Sequence, residues 1–409
     1  TLPFKNNSFF YPSISTSFLL DELISLPRAI SFAKVRASWA QVGNDTRPYQ
    51  TDRYYDKIYG NSFTNSSTLF NPDLKPEITS SYEAGIDLRL FQNRIGLDAA
   101  VYDNKSRNQI INIPLDPVSG YSSALINAGL INSRGVELKL TGKPVVAGNF
   151  SWNTTVIWSR NRSYVRELAS GITNQVIYSH GSNVTIEARV GGRMGDMYGR
   201  GFQRSPDGQI IYSSVGLPAT LDPVTRKFGN AFPDWKGSLM NEFTIYRFKV
   251  SMLLDGQMGG SMYSQTSHKN NTLGKTNVTL PGRDTGIVGE GVVLQSDGNY
   301  VTNTVNVPAS SYYDNYYQIS NAETNIFSAS FLKIREVRAE YSVPASLLSK
   351  VGIQQATIAI FGRDLFNFTK FPGFDPEGGN LNSGTLTPGV ELTQFPSTRT
   401  MGANLTLKF

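Results

Sequence analysis

Few side chains in this sequence have the types and spacing that catalysis or metal binding requires. Asp375 and Glu377 lie two residues apart and form the best candidate pair of carboxylates for acid–base chemistry. They stand in a turn rich in Gly and Pro, and a loop conformation is enough to explain both residues. Oxygen ligands from this turn, or from Asp116-Pro117 near Gly120, suit Ca²⁺, although neither stretch supplies a complete ligand set.

Other kinds of site have even less support. The chain has no Cys, which excludes disulfides, thiolate metal sites and cysteine nucleophiles. It has only two His, His180 and His268, and neither has a partner at metal-ligand spacing. The glycines of residues 191–196 resemble a phosphate loop, but no parallel strand and helix are predicted around them. We therefore expect a protein that is not an enzyme, with no cofactor beyond a structural calcium ion.

The composition is typical of a β-rich chain. Of the 409 residues, 38 are basic and 32 acidic, and they form no basic stripe, so no nucleic-acid partner is expected. The 20 Tyr, 23 Phe and 37 Gly suit interfacial rings and many turns. No apolar run approaches the roughly 18 residues of a membrane-spanning helix. Barrel strands carry only a weak alternating signal, so the absence of such a run does not exclude a membrane β-barrel.

Apolar and polar residues alternate in many segments, which predicts about eleven strands and no convincing amphipathic helix. Two of these strands are predicted at 94–102 and 150–158, after turns around Gln92-Asn93 and at residues 142–148. In residues 33–39 and 82–90 one of the two faces is charged, and such a face suits a wet lumen better than a dry core. The alternation changes phase within residues 325–343, so we expect a β-bulge near Arg335-Glu336.

The last strand, at residues 400–409, has the same alternation and would close a barrel. Its apolar side is predicted to face lipid, while Asn404, Thr406 and Lys408 face the lumen. Its far edge must then pair with a strand that this sequence does not contain. The predicted lipid-facing residues are Met401, Leu405, Leu407 and Phe409.

Short turns alternate with long polar loops, as in bacterial barrels with short periplasmic turns and long extracellular loops. The long loops are predicted at about 43–76, 166–234, 264–323 and 367–397. Their aromatic residues are candidates for binding a substrate or partner, because a ring face accepts C–H and cationic groups. For any single ring, packing within the loop is the simpler explanation. The candidates are Tyr54, Tyr55, Tyr59, Trp235, Tyr312, Tyr313, Tyr316 and Tyr317.

Short motifs follow one another along nearly the whole chain. They are 33–39 with Gly43-Asn44, 74–77 with 82–85, 127–129 with 132–138, 232–237 with Asn241, 331–341 with Pro344, 365–368 with 373–377, and 395–400. Each motif alone is weak. Their order and spacing resemble a known family, the SusC/RagA-like outer-membrane TonB-dependent transporters of Bacteroidetes-type bacteria.

This resemblance implies an all-β fold, a transmembrane antiparallel β-barrel of about twenty-two strands that is plugged by an N-terminal domain. With about eleven strands, residues 1–409 would form the C-terminal half of that barrel, without the plug. The implied location is the outer membrane of a Gram-negative bacterium. The implied partners are the remaining half of the barrel with the plug, TonB acting through the missing N-terminal part, a SusD-like lipoprotein lid, and outer-membrane lipid.

The resemblance also implies a function, the TonB-dependent import of large nutrients, either oligosaccharides or peptides. An alternative is a SusC-like barrel that serves as a structural or protein-binding subunit of a larger outer-membrane assembly. The same aromatic loops would suit either role, and the residues leave both the substrate and the lid partner open.

Overall fold

The computed structural model describes residues 2–48, 50–181, 183–218, 221–348, 352–378, 380–382 and 385–409. Long antiparallel strands dominate this part of the chain, and its helices are short. The predicted all-β antiparallel fold is therefore confirmed. Among the described residues, no helix combines the length and the apolar character needed to cross a membrane.

Eleven long strands account for most of the ordered backbone in the described ranges. They are β1 (Ser13–Leu19), β2 (Ile30–Asn44), β3 (Glu77–Leu90), β4 (Ile95–Pro114), β5 (Ser123–Ala147), β6 (Phe150–Glu167), β7 (Trp235–Ile245), β8 (Phe248–Met258), β9 (Phe331–Ser342), β10 (Gln355–Thr369) and β11 (Thr400–Lys408).

Shorter elements lie in the connections. The α-helices are α1 (Leu20–Leu23), α2 (Gln265–Thr272), α3 (Ala309–Tyr316), α4 (Ala322–Asn325) and α5 (Ala345–Leu348), and the 3₁₀ turns are Phe4–Asn6, Pro117–Ser119 and Asn277–Thr279. The short strands are Tyr55–Lys57, Phe63–Asn65, Thr68–Leu69, Asn174–His180, Val184–Arg189, Asp196–Gly199, Ile211–Tyr212, Arg226–Asn230, Ser261–Ser264, Ile287–Val288, Val292–Leu294, Tyr300–Thr302, Asn306–Val307, Ile326–Ser328, Asn380–Asn382, Thr385–Thr387 and Val390–Glu391.

The chain divides into two units. Unit 1 comprises Thr1–Gln175, Ala188–Met194 and Gly237–Ser251. Its strands follow the order β1-β2-β3-β4-β5-β6-β7, so each strand pairs with its neighbours along the chain. The register pairs apolar residues with apolar residues: Leu88 is opposite Leu97, and Ala84 is opposite Val101. The alternation in the sequence thus becomes one continuous apolar face.

The hairpin between β3 and β4 turns where the sequence predicts it, around Gln92-Asn93. Phe91, Gln92 and Asn93 all have positive φ, between 54° and 64°. Asn tolerates this left-handed conformation better than most residues with a side chain, which explains its place in so tight a turn.

Unit 2 comprises Val176–Glu187, Gly195–Lys236 and Met252–Phe409. Its long strands follow the order β8-β9-β10-β11. Pairing between β9 and β10 shifts register between Ile334 and Glu336, which confirms the predicted bulge. Because of this shift, Leu332 and Ile334 can share a face with Val337 and Ala339 beyond the bulge.

Several predicted boundaries are wrong. Strand β5 continues through residues 142–147, where a turn was predicted, because a register shift between Gly142 and Val145 accommodates Pro144 within the ladder. Strands β4 and β6 are also longer than predicted. The predicted loop 264–323 contains helices α2 and α3, which are too short and too polar to show helical periodicity.

Buried side chains in unit 2 belong mainly to its connections. One apolar cluster joins segments far apart in sequence and consists of Val184, Ile186, Met197, Ala231, Tyr263 and Val390. Five of its six members, all but Tyr263, lie within the predicted loops 166–234 and 367–397. The predicted loop 166–234 is therefore folded, as its length suggests.

Candidate functional site

Strand β9 brings two cations, Lys333 and Arg335, to the acidic turn noted in the sequence. The Lys333 ammonium lies 2.7 Å from both carboxylate oxygens of Asp375 and also bonds Glu377. The Lys333 side chain is only 3% exposed. Because water does not reach this ammonium, the carboxylates must replace its hydration.

Arg335 joins the same turn to two further strands. Its guanidinium bonds Asp255 of β8 at 2.5 Å and Asp364 of β10 at 3.0 Å. It also makes two bonds of 2.8 Å to the two carboxylate oxygens of Glu377, an arrangement that fits the planar fork of arginine. We call Lys333, Arg335, Asp255, Asp364, Asp375 and Glu377 the ionic cluster.

The ionic cluster does not have the electrostatics of an acid–base pair. Burial alone would raise the pKa of Glu377, but hydrogen bonds from Arg335 and Lys333 outweigh burial and hold that pKa below its ordinary value. A general acid at neutral pH needs the opposite shift. The cluster therefore fastens the 373–377 turn to β9, and the two carboxylates suit a structural role.

The structure also bears on calcium. Asp375 and Glu377 direct their oxygens to Lys333 and Arg335, which compete with any cation at that turn. Asp116 accepts a bond of 3.0 Å from the Val118 amide through a carboxylate oxygen. Among the described residues, no group of three or more His, Asp or Glu side chains is placed to hold a metal ion. Calcium binding stays a prediction.

Helix α3 and the residue that follows it bring four of the predicted binding residues together. Tyr312 stacks on Tyr316 with ring centroids 5.4 Å apart, and Tyr313 stacks on Tyr317 at 6.2 Å. This follows from the helical spacing, since residues four apart lie on one side of a helix. Burial raises the pKa values of Tyr316 and Tyr317, so both phenols stay neutral.

Two of these phenols bond to neighbouring segments. The Tyr313 hydroxyl donates to the Pro281 carbonyl at 3.1 Å, and the Tyr312 hydroxyl lies 3.2 Å from that of Tyr212. Phe202 packs against Tyr316 with centroids 4.8 Å apart. We call Phe202, Tyr212, Tyr312, Tyr313, Tyr316 and Tyr317 the tyrosine cluster. It packs the predicted loop 264–323 against the predicted loop 166–234, and binding of a ligand by its rings stays a prediction.

The other predicted binding residues are more accessible. Tyr55 begins the short strand Tyr55–Lys57, which pairs with Phe63–Asn65, and the Arg53 guanidinium lies 5.2 Å from the Tyr55 ring centre. Tyr54 is also exposed, and Tyr59 is 88% exposed at the tip of this hairpin. Trp235 is the first residue of β7, a strand position that the predicted loop 166–234 does not include.

The polar face of unit 1 carries an ordered row of charges. Lys34 is opposite Asp87, Asp87 opposite Asp98, and Asp98 opposite Lys139, across strands β2 to β5. Arg36 donates a bond of 2.9 Å to Asp98. Two adjacent aspartates would repel each other, and these flanking cations compensate for that repulsion. This is the charged face that the sequence assigns to a wet lumen.

Strand β11 pairs with β10 and continues the apolar face. Leu405 is opposite Ile358, and Leu407 is opposite Ala356, while Thr406 on the other face is opposite Thr357. Leu405, Met401 and Phe409 are exposed, but so are Thr406 and Lys408. Cross-strand register therefore separates the two faces of β11, and contact of the apolar face with lipid stays a prediction.

Sequence inspection missed the buried carboxylate of Glu391. Glu391 accepts hydrogen bonds from the Ser264 and Thr266 hydroxyls at 2.7 and 2.5 Å, and from the Thr393 amide at 2.5 Å. Ser264 and Glu391 are 127 positions apart. No local pattern in the sequence connects residues at that separation.

Comparisons with known proteins give consistent similarities. The family model "TonB dependent receptor-like, beta-barrel" matches residues 2–192. TonB-dependent receptor P3 of Formosa agariphila is 24% identical over 99% of this chain, which covers 42% of that receptor. TonB-dependent receptor SusC of Bacteroides thetaiotaomicron is 21% identical over 98% of this chain, which covers 40% of it. The chain thus spans about two fifths of the length of these relatives.

Solved structures show the same fold. The RagAB peptide importer in its "closed-closed" state matches with a TM-score of 0.78 at 18% identity, covering all of this chain and 44% of the matched chain. A structure of the RagAB peptide transporter matches with a TM-score of 0.75 at 19% identity and the same coverage. At these identities the likeness concerns the fold alone.

Proposed function

We propose a transport function for this chain, because it resembles the C-terminal half of a SusC/RagA-like outer-membrane TonB-dependent transporter. The same similarities confirm the outer-membrane location expected from the sequence. The proposed activity is the import of large nutrients, oligosaccharides or peptides. Energy would come from TonB acting through the N-terminal part of the complete protein.

One observation carries this proposal: similarity to receptors of this type extends over 98–99% of the chain. A match of this extent is expected when the long strands and the loops of this chain share one architecture with those of the related receptors. The charged row from Lys34 to Lys139 supports the proposal, because a transport path for polar solutes needs one hydrated face.

The proposed contact surface for substrate or lid is the hairpin that carries Tyr54, Tyr55 and Tyr59. These rings are accessible, whereas the rings of the tyrosine cluster pack between two loops. An exposed phenol offers a flat apolar face with a polar edge, which suits a sugar ring or a peptide. A SusD-like lipoprotein lid is the proposed protein partner.

Uptake by the producing bacterium tests the proposal. Labelled oligosaccharides and peptides are supplied to cells with and without the gene, and each measurement is repeated after collapse of the proton-motive force. We expect uptake of one substrate class to require both the gene and the energised membrane. Identical uptake in both strains for every substrate, together with copurification of assembly machinery, would overturn transport in favour of a structural subunit.

Variants of the hairpin test the contact surface separately. Replacement of Tyr54, Tyr55 and Tyr59 by Ala should weaken uptake at low substrate concentration or loosen association with the lid. Replacement of the same three residues by Phe is the matched control, because the ring faces remain. Equal behaviour of the Ala and Phe variants would assign the contact to other residues.

A further inference from the structure

The outward, apolar face of unit 1 changes character along strands β2 to β6. Its apolar rows include Val35 opposite Ile86, and Ala99 opposite Leu138. Beyond these rows, toward the end that carries the long connections, the same face becomes basic. The residues of the basic rows are Lys105, Arg107, Arg134, Arg160 and Arg162.

The boundary between the apolar and basic rows carries aromatic residues. Trp39 is directly opposite Tyr82, and Tyr82 is 54% exposed. Trp and Tyr favour the membrane–water interface, where the ring meets hydrocarbon and the polar edge meets water. We infer that this pair marks the interface on β2 and β3.

The lengths of the strands place the basic rows beyond the hydrocarbon. A tilted strand crosses a bilayer in roughly 9–11 residues. Strand β4 has 20 residues and β5 has 25. About half of each strand therefore projects past one membrane surface, and the basic rows lie on that half.

A groove opens at this level. It has a volume of about 540 Å³ and is lined by Gln41, Ser80, Tyr82, Lys105, Arg107 and Glu167, with three further residues. Lys105 and Arg107 are both exposed. Within the described part of the chain, Lys105 forms no ion pair, and the contact of Arg107 with the Ser80 hydroxyl is long, at 3.4 Å. A volume of this size is typical of ligand sites.

The charges around the groove favour an anion. Arg134 pairs with Asp103 at 2.8 Å, and Glu167 lies in the groove wall. Even with Arg162 left out, the four cations Lys105, Arg107, Arg134 and Arg160 outnumber these two carboxylates, so positive charge remains in excess. Arg and Lys at headgroup level bind phosphate through charge-assisted hydrogen bonds, and each contributes a further attraction to an anionic surface.

We propose that this groove binds the phosphate-bearing headgroup of a lipid in the outer leaflet, with Lys105 and Arg107 as the principal phosphate ligands. The inference rests on the outer-membrane orientation of the proposed function, with the long loops outside. A lipid is favoured over a soluble anion because the groove adjoins the apolar face at Tyr82, where acyl chains would pack. The ligand class is a phosphorylated glycolipid such as lipid A.

The test uses the complete protein, purified in a neutral detergent, and measures binding of lipid A by native mass spectrometry. The double variant Lys105→Gln and Arg107→Gln should bind lipid A at least roughly 10-fold more weakly. The control, Arg94→Gln and Lys143→Gln, removes two exposed cations from the opposite end of the same strands and should bind like the unchanged protein. A heat-modifiability gel establishes that each variant is folded.

Three results would overturn the proposal. They are unchanged lipid A binding in the groove variant, an equal loss in the Arg94/Lys143 control, and displacement of lipid A by inorganic phosphate or by an acidic peptide at comparable concentration. Uptake assays on the same variants separate this proposal from the proposed function. Normal uptake with weakened lipid binding in the groove variant supports both the transport function and the lipid site. Absent uptake by the unchanged protein contradicts the transport function and leaves the lipid site unaffected.

Discussion

The strands and the folded loops of this protein place their apolar and charged residues in opposite ways. On the strands, Val101 and Ile360 lie on the apolar face, yet they are 51% and 63% exposed. In the loops of unit 2, Tyr263 and Val390 are fully buried, and the carboxylate of Glu391 is enclosed by hydroxyl and amide donors. The exposed apolar face of the long strands would suit surrounding hydrocarbon, while the loops bury their apolar residues as a protein in water does.

The ionic cluster offers the strongest test of this difference. Asp375→Ala would leave the Lys333 ammonium buried with Glu377 as its remaining carboxylate partner. Because a buried charge that loses one of its two carboxylate partners is costly, we expect the 371–378 segment to lose about 3 kcal/mol of protection against opening. Hydrogen exchange of that segment measures this loss.

The matched control is the exposed pair of Lys5 and Asp73, whose side chains are 63% and 68% exposed. Asp73→Ala should cost below about 1 kcal/mol, since water replaces the carboxylate at the surface. Similar losses in the two variants would show that burial of Lys333 adds nothing.

A charge on the apolar face of the wall should have an effect of similar or slightly smaller size. Leu405→Arg places a cation on the predicted lipid side of β11, at a cost of roughly 2–4 kcal/mol near the bilayer midplane. We expect impaired assembly, measured by surface labelling of intact cells. Thr406→Arg, on the opposite face of the same strand, is the control, and normal assembly of Leu405→Arg alone would mean that the faces are inverted.

Within the loops, a single hydroxyl provides a smaller test. Tyr313→Phe removes the hydrogen bond to the Pro281 carbonyl but keeps the stacked ring. The expected loss is roughly 0.5–1.5 kcal/mol of local stability, because one partly buried hydrogen bond is lost. Tyr59→Phe at an exposed position should change nothing, and hydrogen exchange of residues 276–283 compares the two.

Acidification should weaken the ionic cluster only at low pH. The pKa of Glu377 is held below 4.5 in the folded protein, so its stabilising effect is present above that value and decreases as pH falls through the lowered pKa. We therefore expect increased proteolysis of the 371–378 turn only below the ordinary Glu pKa of about 4.3. Glu377→Gln should remove the pH dependence, and a transition near neutral pH would contradict the assignment.

Sequence reasoning succeeded where structure depends on neighbours along the chain. The hairpin of β3 and β4, the bulge near Arg335-Glu336 and the separation of two faces along β11 follow from alternation with a period of two. The same reasoning located the turn around Gln92-Asn93. It was wrong in placing a turn at 142–148, since β5 continues to Ala147, because Gly and Pro occur in bulges as well as in turns.

It failed where structure depends on distant partners. The link from Ser264 to Glu391, and that from Tyr212 to Tyr312, join residues with no local relation. Tyr312 and Tyr316 were recognised as a group, but their helix was not, since α3 has only eight residues. Sequence reasoning identified only part of the ionic cluster, because it noted the acidic turn but not the cations of β9 that pair with it.

The central claim is that successive side chains of β4 face lipid and water in turn. The proposed transport path and the lipid groove both depend on this alternation. This chain has no Cys, so single cysteines can be placed at Leu97, Asp98, Ala99, Ala100 and Val101 and labelled in intact outer membranes. A charged, water-soluble thiol reagent should modify positions 98 and 100, while a lipid-dissolved quencher should reach a fluorophore at 97, 99 and 101. Uniform labelling at all five positions, or the reverse alternation, would contradict the account.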